Sequence, residues 1–340
     1  MRIPKGGIAF FDSGIGGMTV LSACMRYFKN EIFYYYGDNK RAPYGNLTEK
    51  KIKKYTMRAF KFFARKKVKA VVIACNTVTA VCVEELRQKY AFPIIGTEPA
   101  LLPALRSRKA FMDPSLENVK QNDGKECIYV LVTRGTYNSK RFRQLYDKGA
   151  RLYPQFEIKV FPCDRLAGAI ERNVKNEKFD YREFLPNGNP EMVVLGCTHY
   201  IYIKKQIETY YSCRCVDGNN AIARRLLVML KEQEKKDRKQ RDKHKNIKKE
   251  RKKQKIRKSI ALVTTADPKN KNIIKNAILH KKTKTNKCSH FLRKSATAVL
   301  SKRGVNTIYF CGSGKRYNAL FYKQMFVFDD VGGRNSQKWS

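Results

Sequence analysis

No run of about 18 apolar residues occurs anywhere in the 340 residues, so no membrane-spanning helix is written in the chain. The N-terminal IAFF is broken at once by Asp12, which leaves no secretory core segment there. These absences predict a soluble, cytoplasmic protein without a membrane partner. The ten cysteines, at 24, 75, 82, 127, 163, 197, 213, 215, 288 and 311, contain no CxxC pair, which argues against structural zinc and a redox dithiol. The closest pair, Cys213 and Cys215, reads as a strand that uses cysteine as a small hydrophobe. No metal is expected. Acidic residues are scarce, 29 against 72 Lys and Arg, giving a net charge of +43.

That excess suggests nucleic acid, and its densest source is residues 231–258, KEQEKKDRKQRDKHKNIKKERKKQKIRK. The segment holds 16 basic and 5 acidic residues, so it contributes +11 and leaves +32 on the rest of the chain. The charge is therefore spread widely, and no aromatic residue is interleaved with the run. It reads as a solvated or frayed insertion, and nucleic acid is not expected as the main partner. A basic surface still concentrates small anions.

Hydrophobic residues at 42% and this length suffice for two cored domains. Short apolar runs alternate with stretches of helical spacing. IAFF (8–11), IFYYY (32–36) and AVVIA (70–74) precede helix-like stretches, and IYVLV (128–132), FEIKVF (156–161) and MVVL (192–195) repeat the rhythm. This predicts an α/β protein of two doubly wound parallel-sheet domains, the first formed by 1–98 with 208–340 and the second by 99–207. A connecting loop is expected over 111–124, a helix over 219–229, strands at IALV (260–263) and TIYF (307–310), and a loose last dozen residues.

In such sheets, functional residues gather at the carboxyl ends of the strands. Here the runs end on Asp12 and Ser13, on Gly37 and Asp38, on Cys75, Asn76 and Thr77, on Thr133 and Thr136, and on Cys197, Thr198 and His199. Helix capping accounts for Ser, Thr, Asp or Asn at any one of these ends, but not for cysteine at two equivalent ones. The loop FDSGIGG lacks both GxGxxG spacing and a P-loop lysine, and its aspartate would repel phosphate. It suits an ammonium group or a proton carrier better. A thiol has an ordinary pKa of about 8.5, so of two facing thiols one serves as base while the other stays an acid. Placed on opposite faces of a planar carbanion, such a pair inverts a stereocentre. Neighbouring amides, hydroxyls and helix-start N–H groups would hold carboxylates and developing charge.

The segments IAFFDSGIGGMTVL, YYGDNKRAPYGNLT, VVIACNTVTA, LVTRGTYNS and VVLGCTHY, in this order, resemble the aspartate/glutamate racemase family from Ile8 to about Arg225. The resemblance implies two α/β domains related by a pseudo-two-fold axis, with the active site in the cleft between them. It also implies cofactor-independent interconversion of L- and D-glutamate for peptidoglycan synthesis by a homodimer. On this reading Cys75 acts on D-glutamate with help from Asp12. Cys197 acts on L-glutamate with help from His199 and Glu171. Ser13, Tyr44 and Gly45 match positions that hold the side-chain carboxylate, and Asn76, Thr77 and Thr198 those around the α-carboxylate, with Thr136 as an addition. Where the family commonly has proline after CTHY the chain has Ile201, and for Asp-Ser-Gly it has Asp217, Gly218 and Asn219; neither change removes a catalytic group. The alternatives are an aspartate or other amino-acid racemase of the same family and a basic nucleic-acid-binding protein on this scaffold.

Overall fold

A computed structural model describes residues 6–28, 30–111, 125–176, 178–264, 296–301 and 304–312. The expected 111–124 loop, beyond its first residue, and the last dozen residues lie outside the described residues.

The described residues form two sheets. The first takes β1 (Ile8–Asp12), β2 (Ile32–Gly37), β3 (Ala70–Ile73) and β4 (Ile94–Gly96), interleaved with helices α1 (Gly17–Met25), α2 (Glu49–Arg65) and α3 (Asn76–Lys89). Helix α4 (Leu101–Phe111) leads to the second sheet, built from β5 (Glu126–Val132), β6 (Phe156–Pro162), β7 (Met192–Leu195) and β8 (Arg214–Val216). Its helices are α5 (Arg134–Tyr137), α6 (Lys140–Leu152), α7 (Leu166–Asn173) and α8 (Lys204–Tyr211). The long α9 (Asn219–Thr264) follows, then β9 (Ala296–Ser301) and β10 (Gly304–Gly312).

The strand orders are β4-β3-β1-β2-β10-β9 and β6-β5-β7-β8. Exchange β1 for β5, β2 for β6, β3 for β7 and β4 for β8, and the first four strands of one sheet become the other. The sheets are topological repeats, all parallel within these four-strand sets. Each reverses its winding at its first strand, which opens a crevice at the carboxyl ends of β1 and β3 and of β5 and β7. The registers also match: Phe11 pairs with Ile73 and Leu131 with Leu195, two residues before Cys75 and Cys197 respectively.

Three differences from the sequence reading have physical causes. The IALV run at 260–263 lies inside α9 and is not a strand. Four apolar residues fit either period, and no Gly or Pro occurs from Asn219 to Thr264 to stop the helix. For the same reason the helix expected over 219–229 continues through the lysine run, which is helical and not frayed, with its described side chains largely exposed, and which belongs to a separate compact unit from Val228 on. Finally, β8 pairs with β7, so the second sheet extends beyond residue 207 and the expected boundary at 207/208 falls within α8. The TIYF run does return to the first sheet, as part of β10 beside β2.

An aromatic core packs the first sheet against α2. Phe60 is fully buried and its ring meets those of Phe11, Phe63, Tyr90 and Phe92 at centroid separations of 5.4–6.4 Å. The second sheet is covered on one side by Leu101, Leu105 and Phe142, and on the other by Leu166, Ile170, Tyr200 and Ile207. A Phe60→Ala substitution removes a ring that no neighbour replaces, and is expected to destabilise by about 3–5 kcal/mol in urea unfolding. Phe60→Leu should cost less than half as much.

Candidate active site

β1 is buried along its whole length and delivers Asp12, with no exposed surface, to the first crevice. One carboxylate oxygen, Oδ1, accepts from the Gly14 N–H at 2.9 Å; the other, Oδ2, accepts from the Thr198 hydroxyl at 3.2 Å. Burial raises the Asp12 pKa from 3.8 to about 6, while the nearby charge of His199 and the Gly14 N–H hold it back. Ser13 places its Oγ 3.7 Å from the Cys75 sulfur. Cys75 follows β3 and caps α3. Burial first, then the negative charge of Asp12, push its thiol up to about 12, against the Val78 N–H at the start of α3. Negative charge on Cys197 opposes its ionisation too, so the two thiols sense each other.

The second crevice holds a linear set. The Cys197 sulfur lies 3.7 Å from His199 Nδ1, and His199 Nε2 lies 2.6 Å from Glu171 Oε2. Burial pulls the His199 pKa down, but its bonds to Cys197 and Glu171 and the charge of Glu171 outweigh burial and hold it well above the ordinary value. Protonation of the ring is thereby favoured, with Nε2 facing the carboxylate and Nδ1 facing the sulfur.

The two sets are joined residue by residue. Besides the bond from Thr198 to Asp12, the Ile15 N–H donates to Glu171 Oε2 at 3.2 Å, and Tyr202 donates to the Ile15 carbonyl at 2.9 Å. Asn76 Nδ2 donates to the Gly196 carbonyl at 2.9 Å, and the Thr77 and Thr133 hydroxyls bond at 2.9 Å. Glycines permit the approach: a Cβ on Gly14 would stand 2.5 Å from Glu171 Oε2, and one on Gly16 would stand 2.8 Å from His199 Nδ1 and collide with Thr198 Oγ1.

All twelve residues singled out in the sequence are described, and they divide between the two crevices and the turn that faces them. Thr136 is buried and accepts from Thr133 Oγ1 at 3.1 Å. Tyr44 opens a short 3-10 turn, Tyr44–Asn46; its ring packs on Phe11 and Tyr55, and its hydroxyl donates to Asp38 at 2.6 Å. That hydroxyl is thereby engaged, and the turn offers the crevice its backbone. Gly45 lies against Thr133, where an added Cβ would be 2.9 Å from the threonine Cβ. Thr133, which bonds Thr77 and Thr136 alike, and Asp38, which anchors Tyr44 and Arg41, stood in the sequence only as polar strand ends. Strand position was their sole signal. Among the described residues, no three of His, Cys, Asp and Glu cluster as metal ligands.

Residues 35–226 match the model of the family described as Asp/Glu/Hydantoin racemase. The chain belongs to this racemase family. Its enzyme class is accordingly that of an isomerase. Among curated members, the glutamate racemase of Clostridium botulinum strain Okra is 37% identical over 240 residues, 68% of this chain and 86% of that protein. That of Clostridium perfringens strain ATCC 13124 is 36% identical over 235 residues, 66% and 83% respectively. Among solved structures, Escherichia coli glutamate racemase in complex with L-glutamate and the activator UDP-MurNAc-ala aligns with a TM-score of 0.56 at 26% identity, over 67% of this chain and 83% of that one. Francisella tularensis glutamate racemase with D-glutamate gives 0.52, also at 26%, over 67% and 82%.

The elevated Asp12 pKa has a thermodynamic signature. Between pH 4 and 6 the folded protein binds a proton that the unfolded chain releases, so this group's contribution to stability falls as pH rises and is most unfavourable above pH 6. Asp12→Asn should therefore raise the unfolding free energy of the unliganded protein by about 1–3 kcal/mol at pH 7.5. Urea titrations should show the gain shrinking to nothing near pH 4; a gain independent of pH would locate the titration elsewhere.

Proposed function

We propose that this chain is a cofactor-independent glutamate racemase that moves the α-proton between two thiols. One observation carries the reading: Cys75 and Cys197 occupy the same position on matching strands of two repeated sheets, and each has its own helper. Membership of the family and the likeness to glutamate racemases support the substrate. A supply of D-glutamate for peptidoglycan is the role that follows.

The electrostatics give the resting state a direction. Cys75 is held as a thiol by burial and by Asp12, whereas Cys197 faces a cationic ring. With L-glutamate bound, Cys197 takes the α-proton, His199 and Glu171 balance the charge, and Cys75 delivers its proton to the opposite face. In reverse, Cys75 starts as the thiolate and Cys197 as the thiol: Cys75 removes the α-proton of D-glutamate, and Cys197 delivers its own proton to the opposite face. The substrate ammonium relieves the buried Asp12 and meets the Asn76 Oδ1, a buried acceptor without a hydrogen-bond partner. The α-carboxylate takes the N–H groups that open α3 at Asn76 and Thr77, with the Thr198 hydroxyl. Ser13 and the Tyr44–Gly45 backbone receive the side-chain carboxylate. Because Cys75 and Cys197 are only 7% and 8% exposed, the two sheets part to admit substrate and then close on a dry site.

Purified protein given L-glutamate without pyridoxal phosphate or metal should form D-glutamate, followed by circular dichroism, and at a greater kcat/KM than it shows for L-aspartate. No product, or an aspartate preference, would overturn the reading. In deuterium oxide, early D-glutamate should carry α-deuterium while the remaining L-glutamate stays almost unlabelled. Heavy early label in recovered L-glutamate would instead indicate a single exchanging base. Cys75→Ser and Cys197→Ser should each lower kcat by at least about a thousandfold, since an alkoxide is not available near neutral pH. Glutamate binding should survive in both variants.

A further inference from the structure

The lysine-rich run has no role in this chemistry, and its helical continuity changes what it is suited to do. α9 carries residues 231–258 as unbroken helix, about 42 Å long at the usual rise, and its described side chains there are exposed apart from the half-buried Asp237. Sixteen basic residues against five acidic ones leave +11 on that length. At 100° per residue the basic positions fall on every side of the helix, and Lys231, Lys235, Lys239 and Lys243, all exposed, form one stripe of like charges at successive i,i+4 positions. Such pairs oppose the helix unless counter-charge lies along it.

The arrangement discriminates among polyanions. A membrane surface touches one side of a helix and rewards an apolar face there. The only aliphatic residues in the run, Ile247 and Ile256, lie nine positions apart and so on opposite sides. A single strand is gripped by stacking aromatics, and the run has none. Duplex RNA offers a major groove too narrow for a helix. The major groove of B-form DNA is about 12 Å wide, admits a helix and lines both its flanks with phosphate, which suits charge on all sides. We infer that residues 231–258 form a sequence-independent binding helix for duplex DNA that enters the major groove and meets phosphates on both of its flanks.

The test uses the full chain and a fluorescein-labelled 20-base-pair DNA of arbitrary sequence, with anisotropy read from 50 to 200 mM KCl. The comparison variant replaces all eight basic residues between Lys248 and Lys258 by Gln, which retains helix propensity. Affinity of the parent chain should fall at least a hundredfold over that salt range. At 100 mM the variant should bind at least thirtyfold more weakly with a shallower salt dependence, while racemisation of L-glutamate stays within threefold. Binding by the variant within threefold of the parent would assign the affinity to the remaining +32 and overturn the inference. Equal affinity of the parent for single-stranded DNA or duplex RNA of the same length would overturn the groove assignment. So would loss of co-sedimentation with phosphatidylserine vesicles in the variant alongside unchanged DNA binding.

Discussion

The hydrogen bond from the Thr198 hydroxyl to Asp12 joins a charge with no solvent to a loop of the other sheet. A buried carboxylate is costly unless donors and cations surround it. Here the donors are the Gly14 N–H from its own loop and Thr198 from across the cleft, and the cation is His199, held charged by Glu171. Neither sheet supplies the complete set. Closure of the two halves and the ionisation of their polar groups are therefore one problem, and Gly14 and Gly16 lack side chains where a Cβ would keep the halves apart.

Repetition of a four-strand sheet gives the site its symmetry, and local charge then breaks it. Cys75 and Cys197 occupy equivalent positions, but Cys75 neighbours a carboxylate and Cys197 neighbours a cation. Identical groups in identical surroundings would be equivalent; different neighbours make these two unequal. The hydroxyl chain through Thr77, Thr133 and Thr136 is a further polar link between the two sheets.

Much of the frame was legible because it rests on short-range patterns. Fully buried parallel strands read as continuous apolar runs, and polar residues that stop them mark the crevice. Hence Asp12, Cys75, Cys197 and their immediate neighbours could be found from strand ends alone. Glu171 sits on a helix and had no such local signal; it came through the family likeness, and only folding brings its carboxylate to His199 and the Ile15 N–H. The binding of Tyr44 to Asp38 was equally hidden, since six residues in sequence do not reveal which way a phenol turns. The apolar run at 260–263 misled because its period was too short to overrule a helix already propagating without a breaker. The extension of the second sheet through β8 was missed for a related reason: three residues are too few to declare which sheet they join.

The pairing of β10 with β2 sets the order in which the molecule can be finished. β2 ends at Gly37 and β10 begins at Gly304, about 270 residues later, yet they lie side by side. Among the described residues, the second sheet has all its strands once residue 216 has left the ribosome. The first sheet must wait, with β2 as an open edge, while the entire basic helix is synthesised. During translation the later half of the molecule is thus completed before the earlier one, and the highly charged helix emerges at the stage when that edge still lacks its neighbour.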